Sequence, residues 1–281
     1  MERDVTISVL MSVYNPDRGQ MMQAVRSVIS QTFRDWELIL YNDGSDSEFD
    51  EIFADAAALD NRIFYIYQKE NHGLAYGLNK CLAEARGKYA ARMDGDDISH
   101  PWRLQKMYDF LEAHPEYQWV GCNTALIDDK GRWGSRQMPE IPERKDFLNY
   151  SPYIHPSVMF RRTVLQECRG YRIFRKGEDY ELFMRLHAAG YRGYNLQEEL
   201  FSYREDADTV PRQKWRWRIE EMGIRLKGFA ELKLLKPWNA VYIVKPLLMG
   251  LVPRSSVMKI KRRMRKEMHV ERYEGTTTKT V

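Results

Sequence analysis

Short apolar runs alternate with helix-patterned segments through about the first 100 residues, and this alternation constrains the fold more than any other feature. The runs have the length and composition of buried strands, and the segments between them repeat apolar residues at helical spacing. Strands joined by single helices make right-handed crossovers, so the chain is predicted to be an α/β protein with a mainly parallel sheet and flanking helices. The predicted strands cover residues 5–13, 36–41, 63–67 and 89–93, and the predicted helices cover residues 21–30, 49–59 and 74–85.

A polar motif follows each of these strands, at the place where α/β sheets bind their ligands. Because the carboxyl ends of parallel strands meet at one edge of a sheet, the loops are expected to converge there. The binding site is therefore predicted at this edge. The motifs, in chain order, are Tyr14-Asn15-Pro16, Asn42-Asp43-Gly44-Ser45, Glu70-Asn71-His72-Gly73 and Asp94-Gly95-Asp96-Asp97.

The motif Asp94-Gly95-Asp96 offers two carboxylates separated by one residue. Residues two apart in extended backbone point the same way, so Asp94 and Asp96 can face one ligand, and Gly95 lets the backbone bend close to it. Hard divalent cations prefer carboxylate oxygens, which makes a metal site the chemical interpretation. The structural alternative is a solvated acidic turn that caps the helix beginning near Pro101. The position directly after a predicted strand favours the metal site.

The motif around Asp43 is by itself typical of a turn, because Asn, Asp and Gly supply unusual backbone dihedral angles. A carboxylate at this position can also accept a hydrogen bond from the N3–H group of uracil, whereas cytosine has no donor at the equivalent ring position. The functional interpretation is therefore that Asp43 favours uridine over cytidine nucleotides.

The second half of the chain has a mixed pattern, and its last predicted helix begins with Glu178 and Asp179 and stops at Gly190. Acidic residues at a helix start stabilise the positive end of the helix, so a structural role is the alternative to a catalytic one. The predicted elements of this half are a helix over residues 103–113, strands over residues 119–127 and 157–161, and an amphipathic helix over residues 178–189.

Together these motifs resemble the inverting family 2 glycosyltransferases that build bacterial polysaccharides and have the GT-A fold. The likeness covers about residues 5–205. The resemblance implies a nucleoside-diphosphate sugar as donor, with UDP favoured, and a saccharide or lipid-linked saccharide as acceptor. It further implies that a hexose is transferred with inversion at its anomeric carbon, and that a divalent metal, Mn²⁺ or Mg²⁺, is the cofactor.

The resemblance also assigns roles to single residues. Asp96 is the metal ligand, and Asp179 is the general base towards the acceptor. For His155, a satisfied structural histidine is the alternative, and many relatives have a His after the Tyr-Arg pair where this chain has Glu205. The implied donor contacts are Ser12, Tyr14, Asp43, Gly73, Asn79 and Asp94, and looser matches give acceptor or diphosphate contacts at Glu178, His155 and Arg204.

Residues 237–252 are rich in apolar side chains, but Lys245-Pro246 interrupts them, and the run is shorter than the roughly 18 residues that a membrane-spanning helix needs. A basic stretch from Arg254 to Lys266 follows. We expect this region to bind an anionic membrane surface, with apolar side chains in the headgroup zone and cations near the lipid phosphates. The alternative is a helical hairpin packed on the domain. Nucleic-acid binding is not expected, because the sequence contains no recognised nucleic-acid-binding module.

Composition and cysteine spacing set the expected location. The net charge of +4 is small for 281 residues, and the three cysteines are far apart without a Cys-x-x-Cys pair, which argues against a disulfide framework or a zinc ribbon. No charged start leads into an apolar signal segment, so a cytoplasmic protein at the inner face of the cell membrane is expected. The expected parts are a nucleotide-sugar-binding half (residues 1–100), an acceptor-binding and catalytic half of the same domain (101–209), a helical membrane-associating region (210–274) and a disordered tail (275–281).

Two other classes of protein stay open at this point. A catalytically silent module would keep the nucleotide contacts and recruit partners to the membrane, and Asp179 argues against it. A nucleotidyltransferase also uses metal-bound carboxylates on an α/β sheet, but it would usually have a basic, Gly-rich phosphate loop near its start. Residues 13–17 do not have the composition of such a loop.

Overall fold

The computed structural model describes residues 5–205, 214–253, 255, 256 and 259 of the chain. The strands in this part are β1 (Ile7–Val13), β2 (Trp36–Asp43), β3 (Ile63–Gln68), β4 (Tyr89–Arg92), β5 (Ile98–Ser99), β6 (Trp119–Asp128), β7 (Gly131–Arg136), β8 (Met159–Arg161) and β9 (Gly193–Arg204). They form one nine-stranded sheet in the spatial order β3-β2-β1-β4-β8-β6-β9-β5, with β7 paired to β6.

Helices separate the first four strands in the order that the sequence predicts, whereas β5, β7 and β9 were not predicted. The α-helices are α1 (Arg18–Ile29), α2 (Asp50–Ala58), α3 (Leu74–Glu84), α4 (Arg103–Ala113), α5 (Arg162–Glu167), α6 (Glu178–Ala188), α7 (Trp215–Glu231) and α8 (Ala240–Leu251). Short 3-10 turns cover Ser47–Phe49, Arg144–Leu148, His155–Ser157 and Pro237–Asn239. The predicted α/β alternation is confirmed, and the predicted ends differ from the observed ends by a few residues at most.

The first half of the sheet is parallel. Strand β1 lies between β2 and β4, and β3 lies outside β2, with all three pairs parallel. Strand β8 then pairs antiparallel with both β4 and β6, which joins the second half of the chain to the first. The carboxyl ends of β1, β2, β3 and β4 therefore meet at one edge.

Both faces of the sheet are covered, which explains the nearly continuous apolar sequence of β1. Ile7, Val9 and Met11 belong to one core cluster, to which α1, α2 and α4 contribute. Leu10 belongs to a second cluster on the other face, to which α3, α5, α6 and α7 contribute. The site at the strand ends is thus supported by packed helices on both sides.

The C-terminal helices pack on the domain as well as on each other. Ile224 of α7 is buried in the second core cluster, and Tyr242 and Ile243 of α8 pack against that cluster. A Cβ atom on Gly228 would come within 2.4 Å of the sulfur of Met184 in α6, so α6 and α7 are in close contact. The described part of the C-terminal region therefore packs on the domain, while the choice between membrane binding and a hairpin that includes the basic stretch stays open.

No helix in the described part of the chain has both the length and the apolar content that crossing a membrane requires. Most of the basic stretch from Arg254 to Lys266 lies outside the described residues, and so do residues 206–213 and the tail 275–281. The expectations about the basic stretch and the tail therefore stay predictions.

Candidate active site

Hydrogen bonds hold the loops after β1 and β2 together. The backbone N–H of Asn15 donates to the hydroxyl oxygen of Ser45 (2.9 Å), and its side-chain amide donates to the carboxylate of Asp46 (3.1 Å). The backbone N–H of Asp46 donates in return to the side-chain oxygen of Asn15 (3.1 Å). Asn15 has a φ of 46°, in the left-handed region that asparagine adopts more readily than most residues. The first two predicted motifs are therefore adjacent.

The carboxylate of Asp43, a residue that is 2% exposed, joins the second motif to the third. It accepts hydrogen bonds from the backbone N–H groups of His72 (3.1 Å) and Gly73 (2.7 Å) and from the side-chain amide of Asn71 (3.0 Å). A carboxylate has about four acceptor positions, so these three bonds leave one position for a further donor. The predicted contact between Asp43 and uracil requires that position.

The fourth motif lies at the same edge, because a Cβ atom on Gly95 would come within 2.8 Å of a methyl carbon of Val13 at the end of β1. Tyr14, the next residue in the chain, is 51% exposed. Ser12 is 7% exposed and contacts α3, where a Cβ atom on Gly77 would lie 2.0 Å from its hydroxyl oxygen. The four loops converge as predicted, and Tyr14 offers an aromatic surface to a ligand there.

Three carboxylates crowd together in the fourth loop, since one oxygen from each of Asp94, Asp96 and Asp97 lies within 4.8 Å of the other two. Asp97, which received no role from the sequence, is 1% exposed. One of its oxygens accepts the backbone N–H of Arg204 (2.6 Å), and the other has no hydrogen-bond partner among the described residues. Burial, and then the charges of Asp94 and Asp96, raise the pKa of Asp97 well above its ordinary value.

This acidic cluster fits a divalent cation. The pKa of Asp96 is raised to about 6, first by desolvation and then by the negative charge of Asp94. Neighbouring carboxylates repel one another, and a cation bound between them removes that repulsion. The carboxylates of Asp96 and Asp97 supply the hard oxygen ligands that Mg²⁺ and Mn²⁺ prefer.

A cleft of about 480 Å³, called the first cleft below, joins the end of β4 to the start of α6. It brings Asp94 together with Glu178 and Asp179, which are distant in the sequence, and His155 also lines it. Helix α7 contributes Arg225, which had no predicted role. Four of the residues predicted for the site therefore line one space.

Arg92, at the carboxyl end of β4, lines the first cleft and is 2% exposed. Its Nη2 atom forms an ion pair with Asp94 at 2.6 Å, and its other two nitrogens have no hydrogen-bond partner among the described residues. The sequence assigned it no role. The sequence did contain a signal for a role, because Arg92 ends a strand whose other residues are uncharged and which is fully buried. A charged side chain is rarely buried unless it has a partner.

A second cleft of about 520 Å³ adjoins the first. Its lining includes Arg136 and Met138, which the first cleft lacks, and it does not include Asp94 or Glu178. Asp179 is therefore the member of the acid pair that lines both spaces. The residues common to the two clefts are Tyr150, Ser151, His155, Pro156, Asp179 and Tyr203.

Glu178 and Asp179 occupy the first turn of α6, which Gly177 starts with a φ of 86°. Burial raises the pKa of Asp179, while the backbone N–H groups of Tyr180 and of Asp179 itself, and then the charge of Arg92, oppose that shift. Burial, and then the charge of Asp179, raise the pKa of Glu178. A carboxylate with a raised pKa is a stronger proton acceptor, which is what a general base needs.

His155 is both a structural residue and a cleft residue. Its Nε2 atom lies 2.9 Å from the hydroxyl oxygen of Tyr171, and the residue is 6% exposed. Burial, and then the positive charge of Arg92, lower the pKa of His155 well below its ordinary value. The imidazole is therefore neutral near pH 7, and it presents a polar but uncharged surface to the two clefts.

Asn79 and Arg204 do not line either cleft, and the same is true of the other predicted contacts Ser12, Tyr14, Asp43, Gly73 and Asp96. The side chain of Asn79 donates to the carbonyl oxygen of Tyr171 and accepts from its N–H, both at 2.8 Å. The guanidinium of Arg204 donates to the carbonyl oxygen of Asp96 at 2.8 Å and to two further side chains at 3.2 Å. Both residues thus form hydrogen bonds within the protein, and their contacts with a ligand stay predictions.

The amino-acid sequence identifies the class of this protein as a glycosyltransferase. Residues 8–177 match the family described as Glycosyl transferase family 2, and the chain belongs to this family. The resemblance seen in the motifs is thereby confirmed. The match ends just before Glu178, so it does not extend to the acid pair of α6.

Three curated relatives share substantial identity with the chain. It is 38% identical over 251 residues to the putative glycosyltransferase EpsE of Bacillus subtilis (strain 168), which covers 88% of this chain and 90% of the relative. It is 32% identical over 203 residues to the O-antigen biosynthesis glycosyltransferase WbnJ of Escherichia coli, covering 70% and 79%. It is 30% identical over 227 residues to the amylovoran biosynthesis glycosyltransferase AmsE of Erwinia amylovora, covering 78% and 85%.

Solved structures share the fold at low identity. S. aureus TarS 1-349 in complex with UDP-GlcNAc has a TM-score of 0.67 and 15% identity, covering 86% of this chain and 72% of that chain. The mannosyltransferase PcManGT from Pyrobaculum calidifontis, in complex with GDP-Man and Mn²⁺, has a TM-score of 0.59 and 15% identity, covering 94% and 74%. At this identity the likeness concerns the fold alone, and the predicted GT-A-like fold is confirmed.

Proposed function

We propose that this chain transfers a hexose from a UDP-sugar to a saccharide or lipid-linked saccharide, with inversion at the anomeric carbon. The observation that carries the proposal is that the first cleft holds both Asp94 of the acidic loop and Asp179 of α6. A single displacement needs a leaving-group site and a proton acceptor around one reacting centre. Relatives named for O-antigen and amylovoran biosynthesis support a product among cell-surface polysaccharides.

The donor is assigned to the edge of the sheet. Asp96 and Asp97 would hold the divalent cation, and Asp94, oriented by its ion pair with Arg92, would contact the sugar and ribose. The cation, when bound, neutralises the charge of the diphosphate leaving group. The acceptor position that remains on Asp43 would receive the N3–H group of uracil, which is why UDP is the proposed nucleotide.

Asp179 is assigned as the general base. The acceptor hydroxyl loses its proton to the Asp179 carboxylate while its oxygen attacks the anomeric carbon, and the bond from that carbon to the diphosphate oxygen breaks with its electron pair on the diphosphate. Attack on the side opposite the leaving group inverts the configuration. Asp179 is preferred to Glu178 because it lines both clefts and can meet an acceptor that enters from the second one.

The C-terminal helices are proposed to bind the inner face of the cell membrane, where a lipid-linked acceptor is found. Trp238, Leu248 and Leu251 are 71%, 48% and 70% exposed, while Tyr242 and Ile243 pack inward. Packing and membrane binding are thus compatible, since the segment from Trp238 to Leu251 uses different side chains for each. The basic stretch that follows in the sequence would supply the attraction to anionic lipids.

A panel of nucleotide sugars tests the proposed function. The purified chain is mixed with UDP-glucose, UDP-galactose, UDP-N-acetylglucosamine or GDP-mannose and Mn²⁺, and nucleotide release is measured with and without EDTA. Release of UDP from one uridine sugar, abolished by EDTA, is the expected result. Release from GDP-mannose alone would contradict the role given to Asp43. Binding of UDP without turnover of any sugar would favour the catalytically silent module instead.

A further inference from the structure

The two clefts differ in the chemistry of their linings. The first contains Asp94, Glu178 and the cations Arg92 and Arg225, so it suits a charged nucleotide sugar. The second is lined mainly by tyrosine and aliphatic side chains, of which Met138, Tyr153 and Ile154 are absent from the first cleft and Tyr150, Pro156 and Tyr203 are shared with it. Small-molecule sites with mostly apolar and aromatic walls and a few polar groups bind ligands that have apolar faces and polar edges.

Arg136 is the cation of the second cleft among the described residues, and its charge is already compensated. Its Nη2 atom lies 2.5 Å from the carboxylate of Glu205. Its guanidinium group lies over the ring of Tyr203, 5.2 Å from the ring centroid. A guanidinium that is paired with a carboxylate attracts a second anion weakly, so the lining favours an uncharged occupant.

Tyr150 presents an aromatic surface to this space, with 53% of the residue exposed. The chain just before it is tied to α8, because Lys245 donates to the carbonyl oxygen of Asn149 at 3.0 Å. One face of a pyranose ring consists of C–H groups and its rim consists of hydroxyls, which matches a cleft that contains both an exposed aromatic ring and the carboxylate of Asp179.

We propose that the second cleft is the acceptor subsite and takes a neutral pyranose ring, with its C–H face on Tyr150 and a hydroxyl group at Asp179. This inference rests on the proposed transferase function. It adds the class of group recognised, an uncharged terminal sugar rather than an acidic sugar or a phosphate, and it names Tyr150 as the residue that contacts that sugar.

Binding of simple glycosides tests this inference without a donor. Octyl β-glucoside, octyl β-galactoside and octyl β-glucuronide are titrated into the full chain by ligand-observed NMR, and UDP with Mn²⁺ is titrated separately by calorimetry. At least one neutral glycoside is expected to bind more tightly than the glucuronide. Tyr150→Ala should weaken that binding by about two- to tenfold, the range of aromatic contacts, whereas Tyr150→Phe should keep it.

Phe64→Ala is the matched control, because Phe64 is an aromatic residue, 44% exposed, on the edge strand β3 and lines neither cleft. It should leave glycoside and UDP binding unchanged. The inference is overturned if no neutral glycoside binds, if the glucuronide binds best, or if Tyr150→Ala and Phe64→Ala have the same effect. Failure of UDP to bind would instead count against the proposed transferase function, so the two failures are distinguishable.

Discussion

The guanidinium group of Arg225 donates a hydrogen bond to the carbonyl oxygen of Leu148, 77 residues away in the chain and 3.1 Å away in space. The same group donates to the carbonyl oxygen of Tyr242 in α8 at 3.3 Å and lies over the ring of Tyr180, 5.0 Å from its centroid. Arg225 is 5% exposed. One buried side chain thus connects both C-terminal helices to the wall of the clefts and to the residue that follows Asp179.

Replacing this arginine by an apolar side chain should destabilise the fold. Arg225→Met leaves the carbonyl groups of Leu148 and Tyr242 without this donor, and such losses cost about 1–3 kcal/mol. Urea unfolding should show that loss as a lower free energy of unfolding. Lys227→Met, at an exposed position on the same helix, is the control and should be near neutral. Equal stabilities of the two variants would show that the bonds of Arg225 contribute nothing.

Removing the proton acceptor should stop transfer without affecting the donor. Asp179→Asn keeps the size of the side chain but cannot take a proton, and loss of a general base costs about 10²–10⁴-fold in rate. Glu178→Gln is the comparison. A smaller loss of transfer rate is expected for it, because Glu178 lines only the first cleft and not the second. Single-turnover transfer rates and UDP affinity are measured for both. A larger loss of transfer rate in the Glu178 variant, or loss of UDP binding with Asp179→Asn, would show that Asp179 is not the general base.

The acidic loop should bind metal through Asp96. Asp96→Asn removes one charged oxygen ligand from the cluster, so metal-dependent UDP binding should fall strongly while folding is kept. Calorimetry of UDP in Mn²⁺ and in EDTA measures the difference, and Glu84→Gln, which changes an exposed acid on α3, is the control. Unchanged metal-dependent affinity in the Asp96 variant would exclude this ligand.

Stability should fall in mild acid because His187 is buried in its neutral form. The residue is 8% exposed, its Nε2 atom lies 2.9 Å from the hydroxyl oxygen of Tyr153, and burial, followed by the charge of Arg144, lowers its pKa to about 4. The histidine of the unfolded chain takes up a proton near pH 6.5. The contribution of neutral His187 to the free energy of unfolding is therefore complete above about pH 6.5, and it falls by roughly 3 kcal/mol as the pH is lowered to about 4.

Urea unfolding at several pH values across that window measures the loss. His187→Gln removes the titrating group, so the stability of this variant should depend less steeply on pH than that of the natural chain, whatever its stability at neutral pH. Identical pH slopes for the two proteins would mean that His187 does not titrate differently in the folded and unfolded states.

Membrane binding should depend on exposed side chains of the C-terminal region. The double variant Trp238→Ser and Leu251→Ser should lose affinity for phosphatidylglycerol vesicles while its thermal stability stays unchanged, because both side chains point to solvent. Salt should weaken binding of the natural chain. These substitutions test the exposed surface more specifically than deletion of residues 237–281, because the deletion would also remove the packing of Tyr242 on the domain. Vesicle binding that is equal in both proteins would exclude this surface.

The edge of the sheet could be predicted because its signals are local. Asp43 and Asp96 each follow an apolar run, and the direction of parallel strands then brings their loops together. Asp97 also had a local signal, since it extends the acidic motif, but its burial depends on the backbone of Arg204. Burial of that kind is not visible in a sequence motif.

Long-range contacts could not be predicted. An asparagine in a helix has the same appearance in sequence whether or not it bonds to a distant backbone, so the hydrogen bonds of Asn79 to Tyr171 could not be predicted. Helix α7 contains several cations, and only the packing shows that Arg225 is the one turned towards the cleft. The sequence left membrane binding and packing on the domain as alternatives, and it gave no sign that Lys245 of α8 bonds to the chain beside Tyr150.

The arrangement of strands also determines when the acidic loop can reach its final structure during translation. The acidic loop lies between β4, whose outer neighbour is β8, and β5, whose partner is β9. Its buried Asp97 is held by the backbone of Arg204, the last residue of β9. A ribosome that has released the loop has therefore made the three carboxylates but not the strands that pair beside them. The hydrogen bond between Asp97 and Arg204 can form only when β9 has emerged, late in translation of the chain.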